Sequence, residues 1–266
     1  MRYVRQIRLK PGPVDGHPFA LPVIAAMDTL DLTADVCFFV GNNGTGKSTL
    51  LEGIAAAARL PTLTGFHRGA SSAQAVAAQL AARLTLVKSK PIRHGFFFRA
   101  DDVTGFIDRM SADMEDLAGI ERELSAIEGE WGRTRAMGMA RAQRDALHRT
   151  YGENPFAQSH GELFLELFKA RITALGLYLM DEPETPLSPG NQIALLMLLQ
   201  DAVQRGSQFV IASHSPILMA FPGAQILDFD QQPPAVAAWD DLDHVQLTRA
   251  FLNHPERYLC HLDDPH

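Results

Sequence analysis

Apolar and polar positions change rhythm several times along the 266 residues. Residues 2–9 alternate polar with apolar, which predicts an edge strand. "PGPVDGHP" then reads as a loop. "VCFFV", 36–40, contains no polar residue and predicts a strand buried on both faces. "STLLEGIAAAARL" predicts a helix stopped by Pro61. The Ala-rich segment 70–83 predicts another. "RLTLV", 83–87, and "HGFFFR", 94–99, predict two strands around a "KSKP" turn. "LGLYLM", 175–180, "QFVIAS", 208–213, and "AQILDFD", 224–230, predict further strands. Ser188-Pro189 caps and opens a helix over 189–205. Residues 243–262 read as helix with a break at Pro255. Residues 101–150 break the rhythm: they are charged and helix-forming and carry no strand pattern. They predict a helical lobe inserted over 101–158 of a single domain, 1–266.

Continuous apolar strands separated by helices point to an α/β fold. Composition changes this picture little. The chain is 46% hydrophobic and 21% charged, ordinary for a folded domain. Its net charge of −7 supplies no global field for nucleic acid. Cys37 and Cys260 have no metal-ligand spacing and fit a reducing, cytoplasmic setting. "MRYVRQIRLK" lacks the apolar core of a signal peptide, and no run of about 18 apolar residues predicts insertion into a membrane.

The strongest chemical signal is "GNNGTGKST", 41–49. Gly41, Gly44, Gly46, Lys47 and Ser48 fit G-x-x-x-x-G-K-[ST], between an apolar strand and a helix. Glycines let the backbone curl around a phosphate with its N–H groups inward. Asn42, Asn43, Thr45 and Thr49 complete the candidate phosphate-binding stretch. Lys47 is placed to reach β- and γ-phosphates, and Ser48 to offer a hydroxyl to Mg²⁺.

"LYLMDEPE" ends a buried strand in Asp181 and Glu182. The carboxyl end of a strand in an open α/β sheet is where ligands bind. Asp181 is the candidate second metal group, and Glu182 the candidate general base. A solvated acidic loop start is the plain alternative. Glu184 reads as a surface or dimer-facing residue. His214 follows the strand in "FVIASHSP" and is the second candidate catalytic residue, with an ordinary histidine as its alternative.

"SHGELFLELF", 159–168, reads first as a capped helix. Gly161 is odd there, since glycine inside a helix costs about 1 kcal/mol relative to alanine. An uncluttered helix N-terminus is also an anion site, with Ser159 and Gly161 as candidate phosphate contacts.

In this order the phosphate loop, Ser159–Glu162, Asp181-Glu182 and His214 resemble the Walker A, signature, Walker B and His-switch motifs of ABC-type P-loop ATPases. The spacing agrees, with 22 positions from Ser159 to Asp181 and 33 from Asp181 to His214. "DEPE…LSP" and "HPERYL" resemble a soluble branch called AAA-family predicted ATPases. The resemblance implies a P-loop NTPase fold of ABC type, ATP and Mg²⁺ as cofactors, hydrolysis of ATP and an ATP-dependent homodimer. It also implies that Ser159 and Gly161 contact ATP held by the partner copy, which would give the glycine its reason: access.

Two departures stand out. His160 occupies a position that is usually glycine. The glutamine-bearing loop is not evident; "FFFRADD" lies at its place, with Arg99, Asp101 or Asp102 as substitutes. Phe19 and Tyr3 are candidates for stacking on adenine, or core residues. Arg133, Arg135, Arg141, Arg144 and Arg149 are a solvated helix face or a patch for a partner or nucleic acid, without interleaved aromatics. The expected role is an ATPase driving an unidentified protein partner, with DNA maintenance or defence among its settings. The alternative is the nucleotide-binding subunit of a transporter.

Overall fold

In the computed structural model, residues 2–62, 72–100, 102, 105 and 160–260 are described. The apolar run Val36–Val40 is strand β3, buried at all five positions. It takes the parallel strands β7 (Gln208–Ala212) and β8 (Gln225–Asp228) as neighbours. Beyond β7 lie β6 (Leu177–Asp181) and then β5 (Gly95–Arg99), both parallel. β9 (Ala235–Ala237) closes the other edge antiparallel, giving the order β5-β6-β7-β3-β8-β9. A second sheet is antiparallel, with β1 (Val4–Leu9) between β2 (Thr29–Asp31) and β4 (Leu84–Lys88).

The large sheet is covered on both faces, which is why its strands read as unbroken apolar runs. Successive residues alternate between two cores. Phe38, Val40, Tyr178, Met180, Phe209 and Ile211 face one core. There they meet Phe164 and Phe168 of α4 (His160–Arg171) and Leu195 and Leu199 of α5 (Pro189–Gln204). Cys37, Phe39, Leu179 and Val210 face the other, with Leu50, Leu51 and Ile54 of α2 (Lys47–Ala58) and Ile7 of the small sheet. The remaining described α-helices are α1 (Pro22–Ala25), α3 (Ser72–Arg83), α6 (Pro216–Met219), α7 (Asp243–Asn253) and α8 (Glu256–Leu259), with a 3-10 turn at Trp239–Asp241. α7 and α8 part at Pro255, as the sequence predicts.

Two expectations change. β1 is the middle strand of its sheet, not an edge, because β2 and β4 both bind it. β4 and β5 flank the "KSKP" turn but lie in different sheets, since β4 pairs with β1 and β5 with β6. The four-residue helices, β2 and β9 are too short for a periodic signal. The inserted lobe at 101–158 lies outside the described residues, Asp102 and Gly105 excepted.

Two buried glutamines join the sheets. Gln208 Oε1 accepts from the backbone N–H groups of Tyr3 and Val4 at 2.8 and 2.9 Å, and its Nε2 donates to Val4 O at 2.8 Å. Gln225 Oε1 accepts from Thr33 N–H at 2.7 Å while its Nε2 donates to the Asp31 carbonyl at 3.0 Å. Gln208→Leu keeps the volume but orphans three buried backbone groups. Unfolding in urea should show a loss of about 3 kcal/mol. A loss below about 1 kcal/mol would mean that water replaces the amide.

Candidate functional site

β3, β6 and β7 are parallel neighbours, so their carboxyl ends meet at one edge of the sheet. There the fold gathers the phosphate loop after β3, Asp181 and Glu182 at the end of β6, and His214 beyond β7. The loop needs its glycines: φ is +134° at Gly41, +83° at Gly44 and +100° at Gly46, angles that residues with a Cβ rarely adopt. A Cβ on Gly46 would also approach Val23 to 2.9 Å. Gly46 precedes the first turn of α2, and no side chain caps that end. Its N–H groups are therefore available to an anion.

Lys47 is buried, and its ammonium donates to the carbonyls of Gly41 and Asn42 at 2.8 and 2.9 Å. The loop thus wraps its own cation. Burial lowers the Lys47 pKa, while Glu182, Asp230, Asp181 and Glu184 oppose that shift. Ser48 Oγ donates to Asp181 Oδ1 at 2.9 Å. Burial pushes the Asp181 carboxyl up to about 6, against the Ser48 hydrogen bond and the charge of Arg99. A hydroxyl and a carboxylate in contact are hard oxygen donors. They fit Mg²⁺, which binds through few protein groups and fills its octahedron with water and phosphate oxygens.

Glu182 has φ +49°, left-handed for a non-glycine residue, and its N–H donates to Ala212 O at 2.9 Å. Holding such a conformation costs on the order of 1 kcal/mol and is characteristic of functional turns. Its carboxylate lies 4.0 Å from His214 Nε2. Burial first, and then Lys47, lower the His214 pKa, which favours the neutral imidazole.

The structure therefore brings the phosphate loop, Asp181, Glu182 and His214 together. Ser159, Asp101 and the five arginines of the lobe lie outside the described residues. The reason for Gly161 is corrected, not its candidate role. A Cβ there would come within 2.8 Å of Asn191 Nδ2 and 3.0 Å of Pro186 O. The glycine lets the start of α4 pack on its own chain, so access to a phosphate is not needed to explain it. Glu184 is also corrected: its side chain turns inward, with Oε1 accepting from His214 N–H at 2.6 Å and Oε2 buried. Tyr3 is core, with Lys90 over its ring, and Phe19 lies under the Arg83 guanidinium. Tyr3 is buried and offers no open face for adenine, while Phe19 is half-buried. Arg99 pairs with Glu52 of α2 at 3.0 Å, beside Asp181 in the strand register.

Sequence reasoning missed Asp230. Its carboxylate accepts from Asn42 N–H at 2.9 Å and from Asn42 Nδ2 at 3.1 Å, fixing the loop from the end of β8. The acid at the end of "AQILDFD" was the available signal, as for Asp181.

No protein-family model matches the chain, and no curated protein does. Solved structures similar to it include a nucleotide-free ATP-binding cassette from an ABC transporter, at 15% identity, covering 97% of this chain and 99% of that one, TM-score 0.46. Another is cbiO1 from Clostridium perfringens, part of the ABC transporter complex cbiONQ, at 14% identity, 97% and 98% coverage and TM-score 0.47. A third is the SMC head domain from Thermotoga maritima, at 15% identity, 89% and 98% coverage and TM-score 0.38.

Lys47 is the one lysine or arginine within the phosphate loop. Lys47→Ala should weaken ATP binding about 100-fold or more, read by calorimetry on the folded variant. Unchanged affinity would remove the loop from the nucleotide site.

Proposed function

We propose that the chain is an ABC-type ATPase that binds ATP with Mg²⁺ and hydrolyses it to ADP and phosphate. The observation carrying this reading is the 2.9 Å hydrogen bond from Ser48 to Asp181. It joins the phosphate-loop helix to the strand-end acid, the two groups suited to one hard cation. Mg²⁺, when bound, draws charge from the β- and γ-phosphate oxygens.

The chain's own groups do the rest. Backbone N–H groups of the loop and the first turn of α2 receive the phosphates. Lys47 exchanges its carbonyl partners for phosphate oxygens and supplies a cation to the developing charge. Glu182 accepts a proton from water as that water's oxygen bonds to the terminal phosphorus. The bond to ADP breaks on the opposite side. Neutral His214 donates a hydrogen bond to the terminal phosphate or to the water.

In this reading two copies close around ATP, each offering the turn from Ser159 to Glu162 to the nucleotide of the other. The order of motifs supports that part, and the glycine no longer does. Cleavage removes the bridging phosphate and releases the pair, a cycle suited to switching a protein partner in the cytoplasm. Among the described residues no helix is long and apolar enough to cross a membrane.

Glu182→Gln preserves shape but not basicity. It should bind ATP with near-normal affinity, turn over about 100-fold more slowly or less, and accumulate an ATP-bound dimer. Turnover assays and light scattering after size exclusion read both effects. Hydrolysis at the wild-type rate would place the base elsewhere.

The trans arrangement has its own test. Ser159→Arg should leave ATP binding by the monomer intact and block hydrolysis. Mixed with Lys47→Ala, it forms pairs with one doubly defective site and one intact site. Partial recovery of activity on mixing is expected; loss of ATP binding by the Ser159→Arg monomer would count against action in trans.

A further inference from the structure

The turn after β6 and the turn after β7 are stitched together more heavily than two surface turns require. Glu182 N–H donates to Ala212 O. Ser215 Oγ donates to Gln192 Oε1 at 2.6 Å, and Gln192 Nε2 donates to Leu187 O at 3.1 Å. Ser215 N–H donates to Ser213 Oγ at 3.0 Å. The remaining link acts on His214 directly, through the 2.6 Å bond from its N–H to Glu184 Oε1. The Ser213 hydroxyl acts on the Glu184 carboxyl as well, lowering its pKa.

Glu184 is an expensive way to make that link. Oε2 is buried and has no hydrogen-bond partner among the described residues. Burial raises the pKa of the group, against the bond from His214 and the effect of Ser213. Leaving a buried polar atom unmatched costs about 1–3 kcal/mol. A shorter or apolar side chain would avoid this cost, but would leave the His214 N–H without its acceptor. The imidazole that this backbone carries sits 4.0 Å from Glu182.

We infer that Glu184 is a positioning residue for hydrolysis: it fixes the backbone of His214, and so keeps the imidazole aligned with Glu182 and the terminal phosphate. The inference rests on the ATPase reading above. Glu184 works through His214 and is given no contact with the nucleotide. Displacements near 1 Å at a reacting centre can cost on the order of 100-fold in rate, which sets the scale of the effect.

The test measures kcat and KM for ATP with the full chain. Glu184→Ala should lower kcat about tenfold or more with KM within about twofold, since the phosphate loop is untouched. Glu184→Gln keeps an acceptor oxygen at full reach and should stay within about threefold of wild type. In a His214→Ala background, Glu184→Ala should add less than about a twofold loss, because residues acting as one unit are not additive. An equal, multiplicative loss in that background would overturn the inference, as would a raised KM with unchanged kcat. If Glu184→Ala does not fold, Glu184→Asp replaces it: one methylene shorter, it keeps the charge but loses the reach. Slow Asp with fast Gln supports positioning, and the reverse overturns it. If His214→Ala is slow while Glu184→Ala runs at the wild-type rate, this inference alone falls. An inactive wild type removes the ATPase reading and this inference with it.

Discussion

The backbone of β3 has nowhere to put its polar groups except into its neighbours. All five residues are buried, with a core on each face. Water cannot satisfy the strand, so β7 and β8 must. Because that pairing is parallel, the turns that follow these strands emerge at the same edge. The phosphate loop and His214 lie far apart in sequence, yet this requirement gathers them, and β6, parallel to β7, brings Asp181 to the same edge. Gln208 and Gln225 extend the logic: each uses a buried amide to satisfy the backbone of the smaller sheet, which lies under the same strands.

What the sequence made legible was local chemistry in local context. The strand, glycine turn and helix around Gly41–Lys47 could be placed because glycine spacing, a preceding apolar strand and a following helix all lie within about 25 residues. Asp181 and His214 could be read because each ends an apolar run, and the ends of such runs share an edge. β1 could not be placed, since its position depends on partners β2 and β4, one of them about 80 positions away in sequence. Being close in sequence also misled for β4 and β5, which a short turn joins and two sheets divide.

Glu184 and Gly161 show a different limit. Each residue type was noticed, but its reason lay in a contact with a distant segment. An acid in "DEPE" looks solvated until the His214 N–H is found against it. A glycine at a helix start looks made for a ligand until Asn191 and Pro186 are found where its side chain would be. Pattern identifies which residues are unusual; packing decides which neighbour accounts for them.

The charges of the site lead to one more step. Asp181, Glu182, Glu184 and Asp230 all act electrostatically on Lys47, so carboxylates outnumber the lysine around which they sit. Such a site should repel a bare polyphosphate, whatever its loop geometry offers. The Lys47 ammonium is held meanwhile by its own loop carbonyls and is not spent on an acid. In the proposed reading, a divalent cation held by Ser48 and Asp181 would reverse the local sign beside the phosphates. In that reading the loop would supply shape and donors, and the acids around Lys47 would create the need for a cation.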